Sequence, residues 1–138
     1  MNELDFTIKE AVNEPIKDYL DNSPEKNSLK IKLKELKSKT FDIPIIINGK
    51  EIRTGDIGQC VMPHNHNHVL ATYHKAGEKE IQMAIDSALN TWKTWSMKPL
   101  KHRLEIFHRM ADLLQGQYRD LINASTMLGQ SKNAFQAE

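Results

Sequence analysis

The sequence predicts a mainly α-helical chain that also contains a β-hairpin and two further short strands. Over most of the chain, apolar residues recur at intervals of three and four, which is the spacing of one face of a helix. Between residues 41 and 76 this spacing gives way to short β-branched runs. The two patterns divide the chain into a helical segment over residues 1–40, a strand segment over 41–76 and a helical part over 77–138.

Composition places the chain among globular proteins and excludes several partners. Of the 138 residues, 39% are apolar and 27% are charged, and the formal charge is only +1. Such a balance gives no general attraction to nucleic acid or to anionic lipid. No run approaches the roughly 18 apolar residues that cross a bilayer. The N-terminal residues lack a basic targeting pattern, and the single cysteine, Cys60, agrees with a reducing compartment, so we expect a cytoplasmic location.

The first 40 residues predict two helices. Pro15 suits the first turn of one helix, where its missing N–H costs nothing. Ser23 is expected to cap the second helix, with Pro24 at its first position. Six lysines follow on this helix, and we interpret them as a solvated face because no aromatic residue or arginine lies among them to contact nucleic acid. The lysines are Lys26, Lys30, Lys32, Lys34, Lys37 and Lys39.

The strand segment has a clear hairpin pattern. Residues 43–47 form a β-branched run, and Asn48-Gly49 accepts the positive φ angles of a type I′ turn before residues 50–53. Pro44 cannot donate to a ladder, so it should lie near the strand start or on an edge. Two more strands are expected over residues 59–62 and 69–73, with a polar turn over 63–67 between them.

Four helical segments are expected after Gly77. The first has an apolar stripe that ends at Trp92 and Trp95, which we assign to the core. Pro99 begins the second segment. Glycines are expected to end the second and third segments in the left-handed conformation, at Gly116 and at Gly129. Ser131 should then cap the fourth, and because Glu138 falls inside that helix, the pattern indicates a longer parent protein.

Two patterns suggest chemistry, and each has a simpler explanation. His64, His66 and His68 alternate and would converge on a metal if they lay on one strand. Because Pro63 and its neighbours favour a turn that scatters them, a polar turn is the preferred interpretation. Cys60 lacks the neighbouring base that a nucleophile needs, so we expect a buried strand residue. The spaced glycines of a dinucleotide-binding loop are absent.

Several stretches resemble the 1-pyrroline-5-carboxylate dehydrogenases, a family within the aldehyde dehydrogenase superfamily. The resemblance runs from about residue 13 to the end of the chain and is most specific over residues 69–77 and 123–138. The stretches that carry it are Asn13-Glu14-Pro15, Lys34-Glu35-Leu36-Lys37, the hairpin of residues 43–53, Val61-Met62-Pro63-His64-Asn65-His66, and residues 69–77 and 123–138.

The resemblance implies an α/β parent fold, in which residues 77–138 lead into the nucleotide-binding domain. It also implies oxidation of glutamate semialdehyde to glutamate by covalent catalysis, with NAD taking the hydride. In that family the nucleophile, the general base and the NAD-binding residues lie further along, so Cys60 does not match the nucleophile. We therefore expect no catalytic, NAD-binding or metal-binding residue in this chain, and no activity from it alone.

The resemblance implies a role for one residue, Glu138. The matching glutamate begins a long helix that lines the substrate entrance, so Glu138 is expected to line that pocket without taking part in catalysis. A homo-oligomer is implied for the parent protein. Two alternatives stay open from the sequence: a free-standing helical module that binds a partner protein, and a small metal-binding domain that uses the histidines.

Overall fold

The structure is a computed structural model and describes residues 12–138. Within this range it contains helices and strands in the order α1 (Pro24–Lys37), β1 (Phe41–Ile43), β2 (Ile45–Ile47), β3 (Lys50–Ile52), β4 (Ile57–Met62), β5 (Asn65–His74), α2 (Glu78–Trp95), α3 (Leu100–Gln115), α4 (Arg119–Gln130) and α5 (Ala134–Ala137). The predicted mixture of helices, a hairpin and two further strands is confirmed.

Helix α1 begins as its sequence predicts. The Oγ atom of Ser23 accepts a hydrogen bond from the backbone N–H of Lys26 at 3.3 Å, and Pro24 occupies the first turn. Leu29 and Leu36 are buried on one side of the helix, and Leu33 packs beside them. The helix therefore turns its apolar stripe inward and leaves most of its lysines in solvent.

The first of the two predicted N-terminal helices is wrong over residues 12–20, which form no helix. Tyr19 has a φ angle of 52°, outside the helical region. The backbone N–H of Lys17 donates to the side chain of Glu138, 121 residues away. Long-range hydrogen bonds thus replace the local helical ones. Residues 1–11 of the same prediction lie outside the described residues.

The predicted hairpin is confirmed as β2 and β3, which pair antiparallel around Asn48 and Gly49. These two residues have φ angles of 52° and 71°, as a type I′ turn requires. The prediction of one strand over residues 43–47 is wrong, because the chain leaves the ladder at Pro44. Residues before it form β1, which pairs in parallel with β5 in a different sheet.

The two further strands are confirmed as β4 and β5, and both are longer than predicted. They pair antiparallel in a three-stranded sheet of order β1-β5-β4. Met62 pairs with Asn65, so the polar turn between the strands contains only Pro63 and His64. The predicted five-residue turn is therefore too long, because Asn65 and the residues after it continue the ladder.

Helices α2, α3 and α4 are confirmed, but the predicted ends of two helices are wrong. Gly116 ends α3 with a φ angle of −106°, not in the left-handed conformation. Helix α4 continues past Gly129, and Ser131 takes the left-handed conformation instead. The Oγ atom of Ser131 lies 2.8 Å from His64 Nδ1, and Asn133 caps α5 in its place.

One core cluster lies where α1, α4 and β4 meet. Met62 is its largest fully buried side chain, with no exposed area. The members are Tyr19, Leu29, Leu36, Met62, Ala124 and Leu128. The amino-terminal end of α4 and the carboxyl end of α5 both lie beside residues 15–19, which contact Arg119, Asn123 and Glu138.

Helices α2 and α3 bury none of their residues within residues 12–138. Trp92 is 64% exposed, so its prediction as a core residue is wrong for the described part of the chain, while Trp95 is half-buried. The apolar spacing is present, but no described element covers it. We call this surface the α2–α3 face; its exposed members include Ile81, Ile85, Leu89, Trp92, Leu100, Ile106, Phe107, Met110 and Leu114. None of the described helices has the length and apolarity that a membrane crossing requires.

Candidate functional site

Among the ion-paired side chains of residues 12–138, that of Glu138 is the least exposed, at 2%. Its Oε1 atom accepts a hydrogen bond from the backbone N–H of Lys17 at 2.9 Å and another from Arg119 Nη2. Its Oε2 atom accepts from the Tyr19 hydroxyl at 2.6 Å, from Asn123 Nδ2 at 2.7 Å and from Arg119 Nε at 3.3 Å. We call these four side chains, Tyr19, Arg119, Asn123 and Glu138, the carboxylate cluster.

Three parts of the chain bring the carboxylate cluster together. Arg119 and Asn123 are four residues apart on α4, so they lie on one face of that helix. Glu138 follows the short helix α5, which folds back beside α4. Tyr19 comes from the irregular N-terminal segment, and Arg119 Nη2 also donates to the carbonyl oxygen of Pro15 at 2.7 Å. One guanidinium therefore contacts both the carboxylate and the segment that covers it.

The surroundings fix the protonation state of Glu138. Burial alone would raise the pKa of its carboxyl, but the hydrogen bonds from Arg119, Tyr19, Lys17 and Asn123 outweigh it and lower that pKa to about 2. Burial and the bond to Glu138 raise the pKa of Tyr19 to about 12. At neutral pH the carboxylate is ionised and the phenol keeps its proton. Glu138 is therefore a permanent acceptor with no proton to exchange, which is the behaviour of a structural ion pair.

The histidines of the predicted polar turn do not converge. His64 lies in the turn and contacts Ser131, whereas His66 and His68 are on β5. Residues 12–138 contain no group of three or more potential metal ligands. Cys60 is on β4 as predicted, but it is exposed, so its predicted burial is wrong. Strand β4 is the edge of its sheet, and no described element packs over Cys60.

One further polar contact, made by His74, was not predicted from the sequence. Its Nδ1 atom accepts hydrogen bonds from the backbone N–H groups of Thr54, at 3.1 Å, and Gly55, at 3.3 Å. Its Nε2 atom lies 3.3 Å from Oδ1 of Asp42, whose other carboxylate oxygen accepts from Arg53 at 2.7 Å. These contacts join the end of the hairpin to β1 and β5. The pattern of β5 gives no hint of this, because the partners come from a distant turn.

The roles of Tyr19, Arg119 and Asn123 were not predicted from the sequence either. The only sequence indication was the pair of polar residues, Arg119 and Asn123, four apart on the face of α4 that carries Ala124 and Leu128. A polar pair beside a buried face needs hydrogen-bond partners. Nothing in the sequence identifies those partners as Glu138 and residues 15–19.

Comparison with known proteins now identifies the fold. The family model described as the aldehyde dehydrogenase family matches residues 53–138, which is more than half of the chain. The chain belongs to the aldehyde dehydrogenase family. A Delta-1-pyrroline-5-carboxylate dehydrogenase of Agaricus bisporus is 41% identical over 134 residues, which cover 96% of this chain and 24% of that protein. The human mitochondrial enzyme of the same name is 38% identical over 128 residues, which cover 93% of this chain and 23% of that protein.

Solved structures of the aldehyde dehydrogenase family agree with the sequence matches. The Delta-pyrroline-5-carboxylate dehydrogenase of Mycobacterium tuberculosis bound with NAD superposes with a TM-score of 0.93 at 36% identity, over 96% of this chain and 25% of that one. A 1-pyrroline-5-carboxylate dehydrogenase from Thermus with bound NAD superposes with a TM-score of 0.86, over 96% of this chain and 25% of that one. Because it is only 23% identical, this likeness shows the fold alone. The resemblance and the aldehyde dehydrogenase-like fold are confirmed, and the chain spans about a quarter of the length of the curated relatives it matches.

Proposed function

We propose that this chain is the N-terminal part of an NAD-dependent dehydrogenase that oxidises 1-pyrroline-5-carboxylate, through glutamate semialdehyde, to glutamate. The observation that carries the proposal is the TM-score of 0.93 at 36% identity over 96% of the chain. A likeness of that extent, which includes both the hairpin and the helices, supports a shared function as well as a shared fold. We call the product of the complete gene the full-length protein.

Residues 12–138 do not themselves fit NAD. The connection from β5 to α2 is a strand-to-helix turn, but Gly77 is its only glycine, and a dinucleotide loop needs three in a fixed spacing. No hydrogen bond within the described residues joins Cys60 to a base that would hold it as a thiolate. We therefore assign NAD binding, the nucleophile and hydride transfer to parts of the protein outside this chain.

The contribution of this chain is a packing surface. Proteins rarely expose large contiguous apolar patches unless another surface covers them. The α2–α3 face carries an apolar stripe on each helix, and it lies beside an open groove between α2 and the hairpin. Trp92, Trp95 and Ile46 line this groove. We propose that the remainder of the dehydrogenase covers this face.

We also propose that the corner formed by α4 and α5, with Glu138, lies at the substrate entrance. The basis is the resemblance over residues 123–138, where the matching glutamate begins an entrance-lining helix. A homo-oligomeric assembly and a cytoplasmic location stay predictions for the full-length protein. Several relatives carry the word mitochondrial in their names, so cell fractionation with an antibody to this chain is the test of location.

The proposed function is tested by comparing two purified proteins, the 138-residue chain and the full-length protein. With 1-pyrroline-5-carboxylate and NAD, the full-length protein should form NADH and glutamate, and the chain alone should form neither. NADH formation by the chain alone, free of contaminating enzyme, would contradict the assignment of catalysis to other residues. A full-length protein without turnover would refute the enzyme proposal and favour a helical module that binds a partner through the α2–α3 face.

A further inference from the structure

We propose that the carboxylate cluster holds residues 15–19 in place as one unit, and that Glu138 is a positioning residue that does not contact the substrate. The kinetic part of this inference rests on the proposed function, because it assigns residues 15–19 to the wall of the substrate entrance. The structural part depends only on the contacts of the described residues.

Residues 12–20 have no regular secondary structure of their own to hold them. Most side chains of this segment point into solvent; Ile16, for example, is 74% exposed. Tyr19 is the only residue of the segment that is buried, at 7% exposure, and it packs into the core cluster. The remaining contacts of residues 15–19 with the carboxylate cluster are two backbone hydrogen bonds, one from Lys17 N–H and one to the Pro15 carbonyl oxygen.

The carboxylate of Glu138 has no acceptor capacity left for a substrate. An ionised carboxylate offers about four lone-pair positions, and here Lys17 N–H, the Tyr19 hydroxyl, Asn123 Nδ2 and the two nitrogens of Arg119 donate to its two oxygens. All of these donors come from the protein itself. A substrate amine or hydroxyl that approached Glu138 would first have to displace residues 15–19.

The same geometry predicts that residues 15–19 detach together. Lys17 and Tyr19 share one carboxylate, and the guanidinium of Arg119 that holds Pro15 is itself held by that carboxylate. A neutral amide at position 138 has one NH₂ group, and in either orientation this group faces protein donors. The change Glu138→Gln therefore keeps the shape of the side chain, but it removes the negative charge and replaces one of the two acceptor oxygens with a donor, so the shared contact of residues 15–19 is broken.

Hydrogen–deuterium exchange with mass spectrometry of the full-length protein tests this inference. In Glu138→Gln, exchange of the peptide that covers residues 12–20 should accelerate about a hundredfold, and in Tyr19→Phe, which loses one charge-assisted hydrogen bond, about tenfold. Exchange of β4 and β5 should not change. Asp18→Asn is the matched control. It also converts a carboxylate to an amide, but it does so within the segment whose exchange is measured and at a side chain with no hydrogen bond within residues 12–138.

Three exchange outcomes would overturn the inference: unchanged exchange of residues 12–20 in Glu138→Gln, equal acceleration throughout the protein, or acceleration in Asp18→Asn of the same size. If Glu138→Gln does not fold, Tyr19→Phe alone still decides, because its expected effect is confined to the segment. These readouts do not require the protein to be active, so they separate a failure of this inference from a failure of the proposed function.

Steady-state kinetics distinguish positioning from direct contact. If Glu138 acts through residues 15–19, both Glu138→Gln and Tyr19→Phe should raise KM for 1-pyrroline-5-carboxylate and leave kcat within about twofold, as expected when only uniform binding is lost. A rise in KM for Glu138→Gln alone, with unchanged exchange of residues 12–20, would mean that the carboxylate binds the substrate itself and would overturn the inference.

Discussion

The ion pair between Arg119 and Glu138 should show strong coupling in a double-mutant cycle. Both side chains are nearly buried, with exposures of 10% and 2%. The folded environment lowers the pKa of Glu138 from 4.5 to about 2. At about 1.4 kcal/mol for each tenfold change, this lowering corresponds to roughly 3 kcal/mol in favour of the ionised side chain in the folded state.

Loss of one charge should leave the other buried without its partner. We expect Glu138→Leu and Arg119→Met each to lower the free energy of unfolding by about 3 to 5 kcal/mol, the usual cost of breaking a buried pair. The double variant should lower the free energy of unfolding by no more than either single variant does, because no unpaired charge remains. The coupling energy should therefore be about 3 kcal/mol, which is within the range found for directly contacting residues.

The assay for this cycle is urea unfolding of the full-length protein at about pH 7, with the first transition followed for the wild type and the three variants. The matched control pair is Lys39→Met and Glu35→Leu, an exposed ion pair between the last turn of α1 and the residues that follow it. Its coupling should be small, because solvent screens exposed ion pairs. If the free energy of unfolding of the double variant falls by the sum of the two single losses, Arg119 and Glu138 are not coupled and the ion pair does not act as a unit.

Three further predictions concern pH, the hairpin and the core. The pKa of Glu138 is lower in the folded state than in the unfolded state. Its contribution to the free energy of unfolding should therefore be complete above about pH 5 and lost as the pH falls toward about 2. The difference in free energy of unfolding between wild type and Glu138→Gln should shrink over that range. Gly49→Ala should lower the free energy of unfolding by about 1 kcal/mol, since Gly49 has a positive φ angle. Gly129→Ala should raise it slightly, because Gly129 lies inside α4 and alanine is the better helix former. In urea unfolding, Met62→Ala should lower the free energy of unfolding by about 2 to 5 kcal/mol and Met97→Ala by less than about 0.5 kcal/mol. The reason is that the two side chains are 0% and 82% exposed.

The features that the sequence predicted correctly depend on local chemistry. Ser23 caps α1 because its side chain needs only the N–H three residues on, and Pro24 fits the first turn by its own geometry. Asn48 and Gly49 form the hairpin turn because both accept positive φ angles. Contacts of this range are set by neighbouring residues, so a short stretch of sequence contains all the information that they require.

The features that were missed depend on distant partners. Pro15 suits the start of a helix, but the Lys17 N–H and the Tyr19 hydroxyl instead donate to a buried carboxylate that lies 121 and 119 residues away. Trp92 illustrates a second limit. Helical spacing identifies an apolar face, but it does not say which element covers that face, and within residues 12–138 none does.

The α2–α3 face is proposed to be an internal surface of the full-length protein. Hydroxyl-radical footprinting with mass spectrometry tests this proposal most directly, by comparing the modification rates of Trp92, Phe107 and Met110 in the full-length protein and in the 138-residue chain. Met62 serves as the buried standard in both. We predict that all three side chains are modified at least about tenfold more slowly in the full-length protein, as expected when an apolar patch is buried. Equal rates in the two proteins would mean that this face stays open to solvent and is not an internal surface.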